Sequence, residues 1–192
     1  MDAKRISFAL MMGALGSALF AVSFYAGPIA PGIALDFSLI AAFIAGFYGG
    51  PTLGFISGLF VGILPGIMFG PLGMGGALGL VGLPFGKALS GLTAGLIAKG
   101  LKFGQKSRSS LIGIPSTFLA YVPEAIFTYA YFIFLLGMEG GAATFFTFIL
   151  PKALVEVTII SIIMAALIGN RGFSEFVRTF TKPSARPKLA EN

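Results

Sequence analysis

"TFFTFILPKALVEVTIISIIMAALI", residues 144–168, is twenty-five residues long and contains two charges, Lys152 and Glu156. Neither the polar stripe of a surface helix nor the alternation of a half-buried strand is present. A hydrocarbon core about 30 Å thick is crossed by roughly 20 apolar residues in a helix. The run therefore reads as a transmembrane helix. It also raises a question: why place a lysine and a glutamate one helical turn apart in lipid?

Composition extends the reading to the whole chain. Hydrophobic residues make up 56% and charged residues 10% of the 192 residues, and the mean hydropathy is +0.95. Soluble domains carry about 25% charged residues. This is an integral membrane protein, sized for one helical bundle. Cysteine and histidine are both absent. That removes disulfides, thiolate metal sites, the commonest metal ligand and the usual proton shuttle. No metal or cofactor is expected.

Six apolar runs can be counted: Ile6–Ala26, Leu39–Gly49, Thr52–Phe69, Gly76–Ala98, Leu111–Leu136 and Thr144–Ile168. The second is short and is cut by Gly50-Pro51, and Pro84 lies inside the fourth. The expected fold is an all-α integral membrane bundle of six transmembrane helices. Residues 1–170 form the membrane domain and 171–192 a basic cytoplasmic tail. Basic residues precede the first run (Lys4, Arg5), separate the fourth from the fifth (Lys99, Lys102, Lys106, Arg108) and follow the sixth (Arg171, Arg178, Lys182, Arg186, Lys188). With six crossings all three groups share one face, so the positive-inside rule makes both termini cytoplasmic. The net charge of +6 is then a topology signal and no sign of nucleic-acid binding. Asp36 and Glu139 are left for the outer loops.

The charges inside the runs carry the functional argument. Lys87, Glu124, Lys152 and Glu156 fall near one depth of the membrane. Each ionised group in hydrocarbon costs about 2.5–3.5 kcal/mol on insertion scales, so the four are expected to face inward and pair, or to line a cavity. Lys152 and Glu156, spaced i,i+4, share a helix face, and Lys87 is expected to balance Glu124. One reading is two structural ion pairs. The other is a polar solute pocket, flanked by Tyr121, Phe127, Tyr129 and Tyr131, with Pro123 and Pro151 freeing backbone carbonyls beside the charges. Catalysis finds no support. Gly82-Leu-Pro-Phe-Gly86-Lys87 is one residue short of a phosphate loop, with Ala88 where Ser or Thr is required. ATP-driven work would need another subunit.

Small residues supply a second pattern. Ala9, Gly13 and Ser17 form one ridge on the first run, and Ala14 with Ala18 another. Gly54, Gly58 and Gly62 repeat every four residues, and Gly91 with Gly95 does the same. Such ridges allow helices to approach closely in lipid. The glycine ridges suit internal packing. The first run has small residues on more than one face, which suits a partner protein.

Taken jointly, these features resemble the S components of energy-coupling factor (ECF) vitamin transporters. Residues 31–64, "PGIALDFSLIAAFIAGFYGGPTLGFISGLFVGIL", are similar to that family's first loop and next two helices, with an Asp (Asp36) opening the short helix. Ala14-Leu-Gly-Ser-Ala18 matches its Ala-x-x-x-Ala pattern, and "LPKALVEV" sits where members carry a Pro and a Lys. The likeness covers roughly residues 6–169. It implies a six-helix subunit that binds a vitamin or related micronutrient from outside, with Gly27–Phe37 as a lid. It also implies docking through Ala14, Ala18, Gly13 and Ser17 on a transmembrane coupling subunit that works with two cytosolic ATPases. The implied substrate residues are Lys152, Glu156, Glu124, Lys87, Tyr121, Phe127, Tyr129 and Asp36. The chain lacks the histidine of the metal-transporting branch and the tryptophan of the thiamin branch. Two other classes stay open. A small membrane scaffold of a cell-envelope complex would have no ligand pocket. A secondary transporter would show an internal repeat, for which "GKAL" and "PKAL" at 86–89 and 151–154 are too short.

Overall fold

The computed structural model describes residues 3–26, 28–30, 33–73, 75–101 and 109–181. Its elements are α1 (Ala3–Tyr25), β1 (Pro28–Ala30), β2 (Ile33–Ala34), α2 (Leu39–Gly49), α3 (Pro51–Val61), α4 (Ile63–Phe69), α5 (Gly76–Leu101), α6 (Ser109–Thr144), a π turn (Phe145–Ile149), α7 (Leu150–Gly169) and α8 (Arg171–Thr181). β1 and β2 form a small antiparallel hairpin, and the other elements are helical. Of the lid residues, Gly27, Pro31 and Gly32 lie outside the described residues. So do Lys102, Lys106 and Arg108 between the fourth and fifth runs, and Lys182, Arg186 and Lys188 at the end.

Four helical stretches are long and apolar enough to cross a membrane: Ala3–Tyr25, Pro51–Phe69, Gly76–Leu101 and Ser110–Gly169. The last, 60 residues, would extend about 90 Å if straight. Gly137, with φ 78° and ψ 169°, breaks it in a conformation that only glycine adopts freely. The two arms then return side by side. Ser110 Oγ donates to the Ala165 carbonyl at 2.9 Å, and the Tyr129 ring lies 5.1 Å from that of Phe145. The fifth and sixth runs are therefore a helical hairpin.

α2 departs from the expectation of a full span. Its 11 residues rise about 16 Å, half of a hydrocarbon core. It is buried on nearly every face, from Leu39 to Phe47. Its far end turns at Gly50 (φ 84°), where Pro51 opens α3.

α5 is the spine. Gly54 and Gly91 face each other so closely that a methyl on either would overlap the other's carbonyl oxygen, and Gly58 and Gly62 sit as tightly on Ala88 and Pro84. The glycine ridges thus serve internal packing, as their spacing predicted. With no side chains between them, the backbones gain dispersion contact along the seam.

One end of the bundle gathers every chain segment that borders a basic stretch. Arg5 donates to the Gly49 carbonyl at 2.9 Å, Gly95 abuts Pro51, and Ser110 meets Ala165 and Gly169. α8 closes this end. The sequence suggested only a basic tail here, but Phe173, Val177 and Phe180, spaced i, i+4, i+7, give residues 171–181 an apolar face. Phe180 stacks on Phe8 at 6.3 Å and Phe173 meets Tyr48 at 5.8 Å. The Tyr48 hydroxyl lies 3.0 Å from Ser174 Oγ.

Candidate functional site in the bundle interior

Lys87 is the eleventh residue after Gly76 in a 26-residue helix, so it lies near mid-depth. It is 2% exposed. Its ammonium is 2.7 Å from Asp36 Oδ2. This corrects two sequence expectations. Asp36 is no outer-loop residue, and the direct partner of Lys87 is Asp36 rather than Glu124. The reason is the half-length α2. The chain from the β hairpin descends into the bundle before α2 begins, bringing Asp36 to the level of Lys87. There the Ser38 N–H donates to Asp36 Oδ1 at 2.9 Å, a side-chain-capped turn that leads into the helix.

The second pair is the one foreseen. Lys152 Nζ lies 3.0 Å from Glu156 Oε1, and the Asp36 backbone N–H donates to that same oxygen. Pro151 helps position it. A proline within a helix lacks an N–H, and its ring collides with the carbonyl four residues back, here that of Thr147. The helix is widened into the π turn over that stretch, which relieves the collision and re-aims the residues that follow. Lys152 is the most open of the five charges, its side chain 17% exposed.

Glu124 makes no ion pair at contact distance among the described residues, although Lys87 lies within electrostatic reach of it. Glu124 is 7% exposed, and its hydrogen bond among the described residues comes from Ser90 Oγ at 2.5 Å. Ser90 lies three residues after Lys87, on the same face of α5. The sequence reading missed Ser90, and that i,i+3 spacing was the available signal. Glu124 also faces Gly86, where a methyl would sit 3.4 Å from its Cγ and 3.5 Å from Phe127 Cδ1. The Phe127 ring lies 5.3 Å from that of Phe85, tilted by 59°, and the Phe85 ring lies 6.4 Å from that of Phe55, edge to face.

Thus Asp36, Lys87, Glu124, Lys152 and Glu156 come from the loop before α2, from α5, from α6 and from α7 into one interior layer. Tyr121 adjoins it, near the carboxylates of Glu124, Glu156 and Asp36. Tyr121 also lines an apolar cleft of about 280 Å³ between α6 and α7, with Phe118, Leu150, Leu154 and Val157. Tyr129 is drawn elsewhere, against Phe145 and Phe146. Tyr131 packs on Phe132 and beside Gly75 and Gly82. Among the described residues, no three His, Cys, Asp or Glu side chains gather closely enough to hold a metal ion.

On α1 the small residues divide. Ala14 and Ala18 are exposed, along a face shared with Leu10, Met11, Leu15 and Val22. Gly13 points inward, where a methyl would collide with Phe60, and Ser17 is half-buried. Gly13 therefore belongs to the α1–α3 contact and not to an outward docking face. The helical period explains the split, since Gly13 aligns with Ala9 and Gly16 on the inner side.

Compared with known protein families, with curated proteins and with solved structures, the chain matches none.

Proposed function

We propose that this chain is the solute-binding membrane subunit of a multi-subunit importer, of the kind its sequence resembles in the ECF S components. It would cross the plasma membrane six times, the second time by the loop before α2 together with the half-length α2, with both termini in the cytoplasm, bind a vitamin-sized solute from outside, and leave ATP hydrolysis to partners. One observation carries the reading: five ionisable side chains from four separate segments converge inside a bundle whose other buried side chains are apolar or hydroxyl-bearing. Charge within a membrane is expensive and marks solute or ion paths, and mid-membrane is where carriers bind. Asp36 belongs both to this layer and to the Gly27–Phe37 loop, which in this reading is the lid. Lys152, the most open charge, donates to an oxygen of the arriving solute, with Glu156 holding it in place. The exposed Ala14–Ala18 face is the docking surface for a coupling subunit, and α1 needs no catalytic group for that task.

The closed Lys87–Asp36 and Lys152–Glu156 pairs favour a second reading, in which the charges only fix helix packing in a membrane scaffold. A single experiment separates the two. Protein extracted from membranes in detergent is analysed for co-purifying small molecules by mass spectrometry, and the recovered solute is titrated against wild type and Lys152→Met. A hydrogen bond to a charged group contributes about 1.5–3 kcal/mol, so the importer reading expects binding weakened roughly 10–150-fold with the melting temperature kept. Under the scaffold reading no solute is recovered, and Lys152→Met loses stability that Lys152→Met/Glu156→Gln regains. Topology is checked in intact cells with an impermeant thiol reagent. Gly140→Cys is expected to react and Gly100→Cys to stay unlabelled.

A further inference from the structure

The interior layer does not balance. Among the described residues, three carboxylates, on Asp36, Glu124 and Glu156, face two ammonium groups, on Lys87 and Lys152. Each lysine is engaged by one acid, at 2.7 and 3.0 Å. Glu124 is left over, more than nine-tenths buried, with a serine hydroxyl as its partner. Ser90 Oγ donates to Glu124 Oε2 at 2.5 Å.

The surroundings of Glu124 indicate what completes it. Gly86 lies beside Glu124 and Phe127, where a methyl would make ordinary van der Waals contact with both. The rings of Phe127, Phe85 and Phe55 run on from there at 5.3 and 6.4 Å. A carboxylate beside aromatic faces suits a positively charged nitrogen, which takes a salt bridge from one and a cation–π contact from the other. A bare divalent metal is a poor fit, because the carboxylates are not gathered to ligate one.

Resting on the importer reading above, we propose that the transported solute carries a cationic nitrogen, as a protonated amine, amidine or charged heterocycle, and that Glu124 is its counter-charge. Binding then brings the layer to neutrality, and Lys152 takes an oxygen of the same solute. A solute whose charge is only anionic would deepen the imbalance.

The test uses the full-length protein in detergent and the small-molecule extract of yeast cells, divided by ion exchange into cation-retained, anion-retained and unretained fractions. The cation-retained fraction is expected to raise the melting temperature of the wild type. Its stabilising component, purified by that assay, is expected to bind Glu124→Gln roughly 10–150-fold more weakly. Glu124→Gln keeps the bond from Ser90 while losing the charge, so its melting temperature without solute should be near that of the wild type. Glu124→Asp keeps the charge and should retain the preference for the cation-retained fraction, which serves if the Gln variant does not fold. Stabilisation by the anion-retained or unretained fraction alone, or equal affinity of wild type and Glu124→Gln, overturns the proposal and leaves the importer reading intact. Stabilisation by no fraction overturns both.

Discussion

The two faces of α5 hold the bundle together by opposite means. One face, Pro84–Ala88–Gly91–Gly95, meets α3 and α4 backbone to backbone, with glycines opposite glycines. The other, Gly86–Lys87–Ser90, meets the loop before α2 and meets α6 through charge and hydrogen bonds. The first contact works because nothing projects from it. The second works because what projects is matched. In lipid there is no hydrophobic drive to bring helices together, so contact must come from one of these two sources. They should fail differently when altered.

The glycine seam should fail most completely. A leucine at Gly91 has to displace the Gly54 backbone, which no rotamer change can absorb. Overpacking of a soluble core costs about 1–3 kcal/mol and occasionally more, and here the obstacle is main chain. Gly91→Leu is expected to abolish the monodisperse peak in size-exclusion chromatography, with Gly91→Ala intermediate. A Leu variant that elutes and melts like wild type would mean the seam is looser than described.

The charged face should fail by smaller steps and be repairable. Lys87→Met leaves Asp36 buried without its cation, a loss of about 3–5 kcal/mol for one broken buried pair. Lys87→Met/Asp36→Asn removes both charges and should recover most of the melting temperature. If the double variant melts no higher than the single, the pair is not what couples the loop before α2 to α5.

Bulk on the outward face of α1 should cost the fold least of all. Ala14→Leu and Ala18→Leu add side chains to positions already exposed, where surface substitutions usually fall within about 0.5 kcal/mol of neutral. Melting and solute binding should be unchanged while uptake in whole cells is lost. Uptake that survives both changes would move the coupling surface off α1.

The contrast also shows what the sequence made legible. The glycine seam was readable because four-residue spacing is a local property, and each ridge lies within one helix. The Lys152–Glu156 pair was readable for the same reason, as were the limits of α2, set by Gly, Pro and hydropathy; the start of the sixth run was not, since helix resumes directly after Gly137 and not at Thr144. The partner of Lys87 was not. Asp36 is fifty-one residues away and reaches mid-depth only because α2 is half a span, which depends on how the loop before it folds. The neighbourhood of Glu156 depends on a backbone N–H that is 120 residues distant. Gly13 and Ala14 were read as one docking group because both are small; only the packed neighbour, Phe60, tells them apart. The docking of α8 was hidden behind its basic residues, although Phe173, Val177 and Phe180 carried the period.

The shortness of α2 bears on how the chain is first delivered to the bilayer. An insertion machinery releases segments that span, and eleven residues do not. α2 should therefore leave it together with α3 and α4 as one hairpin closed at Gly50 and Pro51. That carries Asp36 to mid-depth before α5 packs beside it. Until α5 follows, the aspartate stands among lipid chains with no cation beside it, and water has to accompany it. Ala34, just ahead of Asp36, is buried in the finished bundle and can report that water. We expect Ala34→Cys to react with an impermeant thiol reagent in chains truncated after residue 75, and to be protected in chains truncated after residue 101. If both truncations react alike, the hairpin does not wait for α5. Charge changes at Lys87, which leave Asp36 without its cation, are therefore expected to reduce the protein's abundance before they affect its activity.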